Sequence, residues 1–269
     1  MKMRFLLSGL TIVALGASIV FAHPGVAKAE TAARSFRVGC KFSHQRRADP
    51  IVSPGRRSMH VHDFFGNRST NASSTYPSML AASTTCGLSA DTAAYWSPSL
   101  VRPSGRLVEP VKMSVAYRND PVRYRTTRPF PRNFRMIAGG VGTYPHFFWN
   151  CARHDSSRKL RRPPECGSDR LVAHVRFPNC SDGRIDSRNH RRHLAYPVRQ
   201  RCPATHPTKL PFLAVNVYYP GGASGPGYEL SNGTVAPHMD FWNTWNQTAL
   251  VRLVRQCLQR GIGCGMQAD

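Results

Sequence analysis

Short β-branched and aromatic runs set the rhythm of this chain. LVEPVKMSVAY, LVAHVRF and FLAVNVYYP are separated by Pro, Gly, Asn and Ser, which punctuate strands. In LAVNVYY, Leu213, Val215, Val217 and Tyr219 alternate against Ala214, Asn216 and Tyr218, the period of a half-buried strand. Only the C-terminal end changes period: Leu250, Leu253, Val254, Cys257 and Leu258 recur at i, i+3, i+4, i+7 and i+8. That spacing predicts a helix, capped from NQTAL and stopped at Gly261. No internal repeat and no linker-like stretch divides the chain. The pattern predicts a mainly β, β-sandwich-like single domain with long loops and one C-terminal helix.

Period two also organises the polar stretch SMHVHDFFGN at Ser58 to Asn67. Alternation puts His60 and His62 on one side of an extended chain, about 6.5 to 7 Å apart along it. HMD does the same for His238 and Asp240. Two imidazoles so held can share a metal ion, move protons or fill a polar gap between loops. Asp182 and His193, also in polar, turn-rich segments, complete the set of candidate catalytic groups. His60, His62 and His238 are the candidate ligands of one transition-metal ion, with a neighbouring carboxylate to fix a ring tautomer. His44, His146 and His206 read as structural, bridging loops by hydrogen bonds, and His154 and His190 as exposed. Trp96, Trp149, Trp242 and Trp245 read most simply as core or rim aromatics, with stacking on sugar faces as the lesser reading.

The N-terminus narrows the compartment. Lys2 and Arg4 precede an apolar run from Phe5 to Ala22, and AKA at Ala27 to Ala29 reads as a cleavage site. Residues 1–29 are thus expected to be a signal peptide and 30–269 one extracellular domain. The apolar run contains Ser8, Gly9, Thr11, Gly16 and Ser18 and no second span follows it, so no stable membrane anchor is expected. Eight cysteines, an even number in an exported chain, imply disulfides. No thiol pair has zinc-finger spacing. Pairing in sequence order, Cys40 with Cys86, Cys151 with Cys166, Cys180 with Cys202 and Cys257 with Cys264, closes only short loops and is the preferred connectivity.

The 269 residues carry a formal net charge of +23, and losing Lys2, Arg4 and Lys28 with the leader leaves +20. Only six of the 37 basic residues are lysine, so arginine carries the balance. Such charge attracts acidic polysaccharide, anionic envelope or nucleic acid, or simply keeps an exported protein in solution. The basic residues line no recognisable nucleic-acid motif, and export argues against that partner. Gly-x-Ser-x-Gly, phosphate-cradling glycine loops and His-Glu-x-x-His are all missing.

FSHQRRADPIVSPG, SMHVHDFFGN, AAYWSPSL, NCSDGRIDSRNHRRHLAYP, CPATHPTKLP and APHMDFWNTWN follow one another in that order. Together they resemble an exported fungal and bacterial domain-of-unknown-function family, number nineteen ninety-six, from about Cys40 to Cys257. The resemblance carries over His60, His62, Gly66, Asn67, Tyr95, Trp96 and Pro98. It also carries over Asp182, Gly183, Asp186, Ser187, His190 and His193 from the middle motif, and His206, His238, Asp240, Phe241, Asn243 and Trp245 from the last two. Where the family is expected to show Trp, this chain has Ser181, and where it is expected to show Asp, this chain has Asn246. The resemblance implies extracellular work on or near polysaccharide, with no activity attached. The expected function is that of a polysaccharide hydrolase or lyase with a His/Asp site, the polymer being acidic if charge guides the choice. Hydrolysis would use Asp182 and Asp240 as acid and base if the fold brings them together. Elimination would use His or Tyr as base and Arg to neutralise a uronate. The alternative is a non-catalytic carbohydrate or cell-wall binding module.

Overall fold

A computed structural model describes residues 34–119, 126–153, 157–262, 264 and 266–267. The expected signal peptide and His154 lie outside them. The strands are β1 (Ser35–Arg46), β2 (His62–Gly66), β3 (Ala94–Pro98), β4 (Leu100–Val101), β5 (Leu107–Val108), β6 (Lys112–Arg118), β7 (Arg135–Gly139) and β8 (Phe147–Cys151). They continue as β9 (Leu171–Arg176), β10 (Cys180–Ser181), β11 (Leu194–Ala195), β12 (Thr208–Lys209), β13 (Phe212–Tyr218), β14 (Glu229–Leu230), β15 (His238–Trp242) and β16 (Met266–Gln267). Helix α1 (Tyr76–Leu80) is short; α2 (Gln247–Leu253) runs into a π-helical turn at Val254–Arg260.

One ten-stranded sheet, in the order β7-β15-β3-β2-β1-β6-β13-β9-β8 with β16 on β1, makes the body of the protein. The long β1 holds it together. Its first part, Ser35–Lys41, pairs with β6, and its second, from Phe42 to Arg46, pairs with β2. The register slips between Phe42 and His44, where an extra residue bends a strand and strengthens its twist. The two halves of the sheet thereby close over a common core. Phe36, Val38, Val115 and Tyr117 from one half pack in the same cluster as Phe65, Tyr95, Met239 and Phe241 from the other. This is the expected sandwich-like arrangement, made from one folded sheet. Leu213, Val215, Val217 and Tyr219 are all buried, as their alternation predicted.

A smaller second core lies on the outer face of the β2-β3-β15-β7 half. Phe64, Trp96, Ile137 and Trp242 from the strands are covered by Ala48 and Ile51 from the β1–β2 loop and Met79 from α1. Trp96, Trp149, Trp242 and Trp245 are at most 2 % exposed, so all four are core residues and none offers a ring face to a sugar.

The four disulfides join Cys40–Cys86, Cys151–Cys166, Cys180–Cys202 and Cys257–Cys264, the connectivity expected from sequence order. Asn246 caps α2 by accepting from the Ala249 N–H at 3.1 Å, and Gly261 ends the helical segment with φ of 69°. No described helix is long and apolar enough to cross a membrane.

Candidate functional site

Strand register builds the site. β3 lies between β2 and β15 and runs antiparallel to both, so β2 and β15 point the same way. His62 pairs with Pro98 on one side of β3, and Asp240 pairs with Trp96 on the other. His238, two residues before Asp240, therefore stands on the Pro98 level opposite His62 and on the same face of the sheet. The compact Pro98 ring between them leaves the two imidazoles free to lean together, their centroids 5.7 Å apart. His60, just before β2, closes the group from the loop side, 4.2 Å from the His62 ring and 5.5 Å from that of His238. One potential ligand atom from each of the three lies within 4.8 Å of the others.

Hydrogen bonding decides which nitrogens are available. The His62 Nδ1–H donates to the Ala48 carbonyl at 2.9 Å, which leaves the Nε2 lone pair facing the cluster. That atom, like His60 Nε2, is buried without a hydrogen-bond partner. Burial lowers the pKa of all three rings, well below the usual range for His62 and to about 3 for His238; the other two imidazoles add to it at His62, and His60 and Arg191 at His238. Burial and, for His60, nearby Arg47 thus hold the rings neutral at physiological pH, the form that binds a metal ion.

Two carboxylates complete the surroundings. Asp240 is fully buried, its Oδ2 lies 3.4 Å from His238 Nε2, and neither oxygen has a hydrogen-bond partner. Burial pushes its pKa well up; nearby Asp49 pushes the same way, and Arg191 opposes. Arg191 is held at the site by donating to the carbonyls of Ile137 and Gly139, at 3.3 and 3.0 Å. Asp49 turns its Oδ1 to the N–H groups of Ile51 and Val52, fixing the loop over the second core. Its Oδ2 is left facing His62 Nε2 at 3.9 Å. A buried carboxylate with both oxygens unpartnered calls for a cation or a proton beside it.

The structure thus gathers His60, His62, His238 and Asp240 and leaves Asp182 and His193 out of the cluster. Asp182 is engaged by Arg184, whose Nη2 and Nε donate to its Oδ2 at 2.6 and 2.9 Å and whose backbone N–H donates to Oδ1. Burial opposes its ionisation, but these bonds together outweigh it and hold its pKa below the usual range. His193 is buried against Phe134 and hydrogen-bonded through Nδ1 to the Ser187 hydroxyl. Neither joins the three imidazoles by a hydrogen bond or ring contact among the described residues. Of the two carboxylates expected to act together, Asp182 is engaged by Arg184 and Asp240 faces His238. His44 and His206 bond backbone carbonyls, at Thr70 and Arg192, and His146 stacks on Tyr196. His190, expected to be exposed, is 16 % exposed at its side chain and bonds Asp186 at 2.8 Å.

Asp49 and Arg191 were not singled out from sequence. Asp49 stands in RADPIVSPG, a loop stretch without a local histidine, and Arg191 in the basic SRNHRRH, where charge masked its contact with the sheet. Only tertiary packing brings either to the imidazoles. No curated protein and no solved structure matches the chain. A family model does match, over residues 49–245, a span that runs from Asp49 through the whole histidine cluster to Trp245. The chain therefore belongs to the family described as Domain of unknown function (DUF1996).

Proposed function

We propose that this protein is an exported enzyme that acts on extracellular polysaccharide, by hydrolysis or elimination, through a metal ion held by His60, His62 and His238. The convergence of three neutral imidazoles, two with buried Nε2 atoms that nothing else satisfies, carries the reading. Two nitrogens at about 2.1 Å from a tetrahedral ion stand about 3.4 Å apart, so the site would tighten by roughly an ångström on loading. His60 precedes β2, outside the strand ladder and beside the exposed Met59. A three-histidine set leaves positions open, where an ion activates water or polarises a substrate oxygen. Asp240 would orient the His238 ring, as the Ala48 carbonyl does that of His62, and Asp240 and Asp49 would balance the ion's charge and receive a proton. The disulfides fit an extracellular setting.

The test is a panel of neutral and acidic polysaccharides, scored for new reducing ends and for absorbing unsaturated ends. Expected is release from at least one polymer, abolished by chelator, restored by a transition metal and absent in His60→Ala. Activity that survives both chelation and His60→Ala would defeat the proposal. So would silence across the panel by metal-loaded protein.

A further inference from the structure

The C-terminal helical segment carries a second pattern besides the apolar one that predicted it. Arg252, Arg255, Gln256, Gln259 and Arg260 follow helical spacing on the side away from Leu250, Leu253, Val254, Cys257 and Leu258. All three arginines are exposed. Three hollows flank this face in a row. One of about 480 Å³ shares Arg132, Gln247 and Thr248 with a middle one of about 400 Å³, which shares Val251 and Arg255 with a third of about 730 Å³. Neighbouring through those shared residues, they make a segmented trough along 14 residues, seven of them α-helical and seven π-helical.

Its lining is one-signed. Arg128, Arg132, Lys209, Arg252, Arg255 and Arg260 contribute, and no aspartate or glutamate among the described residues does. The remaining polar groups are amides and hydroxyls, such as Gln247, Gln256, Gln259, Thr208 and Thr248, which hydrogen-bond neutral hydroxyls as readily as charged oxygens. Trp245 is the aromatic residue at the edge of the trough, and it is 1 % exposed. Single-stranded nucleic acid is normally gripped by exposed aromatic faces as well as cations, and those are missing here. Arginine forks match planar carboxylates and sulfates, and several cations along one groove favour a ligand with repeated negative charge. The trough begins near Asn246, beyond the Trp242 end of β15, whereas His238 is at the other end, about 13 Å along the strand.

We infer that this trough is a binding site for an extended acidic glycan, one bearing uronate or sulfate groups, separate from the histidine centre. The inference names the substrate class and rests on the polysaccharide reading above, but it needs neither the metal ion nor turnover.

Binding of intact mature protein to polygalacturonate, dextran sulfate, neutral dextran and single-stranded DNA, at physiological ionic strength, tests it. A triple variant, Arg252→Gln, Arg255→Gln and Arg260→Gln, changes only exposed side chains. A control, Arg37→Gln, Arg106→Gln and Arg118→Gln, removes the same charge from exposed positions elsewhere. Expected is binding to at least one acidic glycan and not to neutral dextran, weakened roughly tenfold or more in the trough variant and about twofold or less in the control. His60→Ala should bind as wild type does. Equal losses in the two triple variants would show diffuse charge attraction and overturn the inference. DNA bound more tightly than either acidic glycan, with the same arginine dependence, would also overturn it, as would no glycan retention. A glycan held in the trough but never cleaved would retire the enzymatic proposal alone.

Discussion

A histidine one residue from another is common; what makes His60 and His62 chemically distinct is the set of bonds they lack. His62 spends Nδ1 on Ala48 and keeps Nε2 free, while Asp240 stands within 3.4 Å of His238 with both oxygens unpartnered. If that carboxylate serves the ion rather than the fold, Asp240→Asn should weaken metal affinity roughly 10- to 100-fold. It should not lower the melting temperature of chelator-treated protein. Unchanged affinity in a titration would contradict this. A different buried acid sets a pH dependence. Trp245 Nε1–H donates to the Tyr117 hydroxyl at 2.8 Å, which meets the Tyr95 hydroxyl at 2.6 Å, and Tyr95 donates to Asp91 at 2.9 Å. Burial raises the Asp91 pKa to about 8, against hydrogen bonds from Tyr95 and the Ala93 N–H that pull it down. Because the folded value lies above the unfolded one, the protonated acid binds its proton more tightly in the fold. Its contribution to stability is complete below about pH 4 and declines until it is lost as pH passes about 8. Asp91→Asn keeps an acceptor for Tyr95 and removes the titration. Relative to wild type, its melting temperature should gain several degrees between pH 5 and pH 9; a constant difference would refute the assignment.

At the scale of elements, period two was the readable signal. HVH and HMD each predicted two polar side chains on one strand face, and both pairs lie so in β2 and its approach and in β15. What sequence could not show was that β3 would set these strands side by side, since pairing depends on contacts far apart along the chain. The helical end was legible for a similar reason: burial of Leu250, Leu253, Val254, Cys257 and Leu258 follows their spacing. The π-helical turn was not, because the same apolar stripe suits either winding. Gly66 ends β2 with φ of 75°, and a Cβ there would stand 2.2 Å from the Ala93 carbonyl oxygen, which is backbone and cannot move aside. Gly66→Ala should therefore cost roughly 3 kcal/mol or more, lowering the melting temperature by about 6 °C or more. A loss below about 1 kcal/mol would mean the strand end relaxes easily.

For the molecule as a whole, composition gave the class and the staples, and left the closure of one sheet into two layers to be seen. Cysteine number and spacing left several connectivities open, and the preferred one, pairing in sequence order, is the one found. The contribution of Asp49 and Arg191 was not readable, because each is delivered by a loop whose course depends on the packed sheet. Cys180–Cys202 ties down the stretch that supplies Arg191 and closes a separation of 22 residues. Replacing both cysteines by serine should cost roughly 3 kcal/mol in a denaturant melt. No change would show that the stretch is held by its hydrogen bonds to β7 alone. The ion itself is read by elemental analysis of mature protein purified without a histidine tag and without added metal. The expected result is about one transition-metal ion per chain, lost in His60→Ala and in His238→Ala while the circular dichroism of both variants stays that of wild type. A fully folded protein free of metal, which gains none on incubation with zinc or copper and yet cleaves polysaccharide, would contradict it.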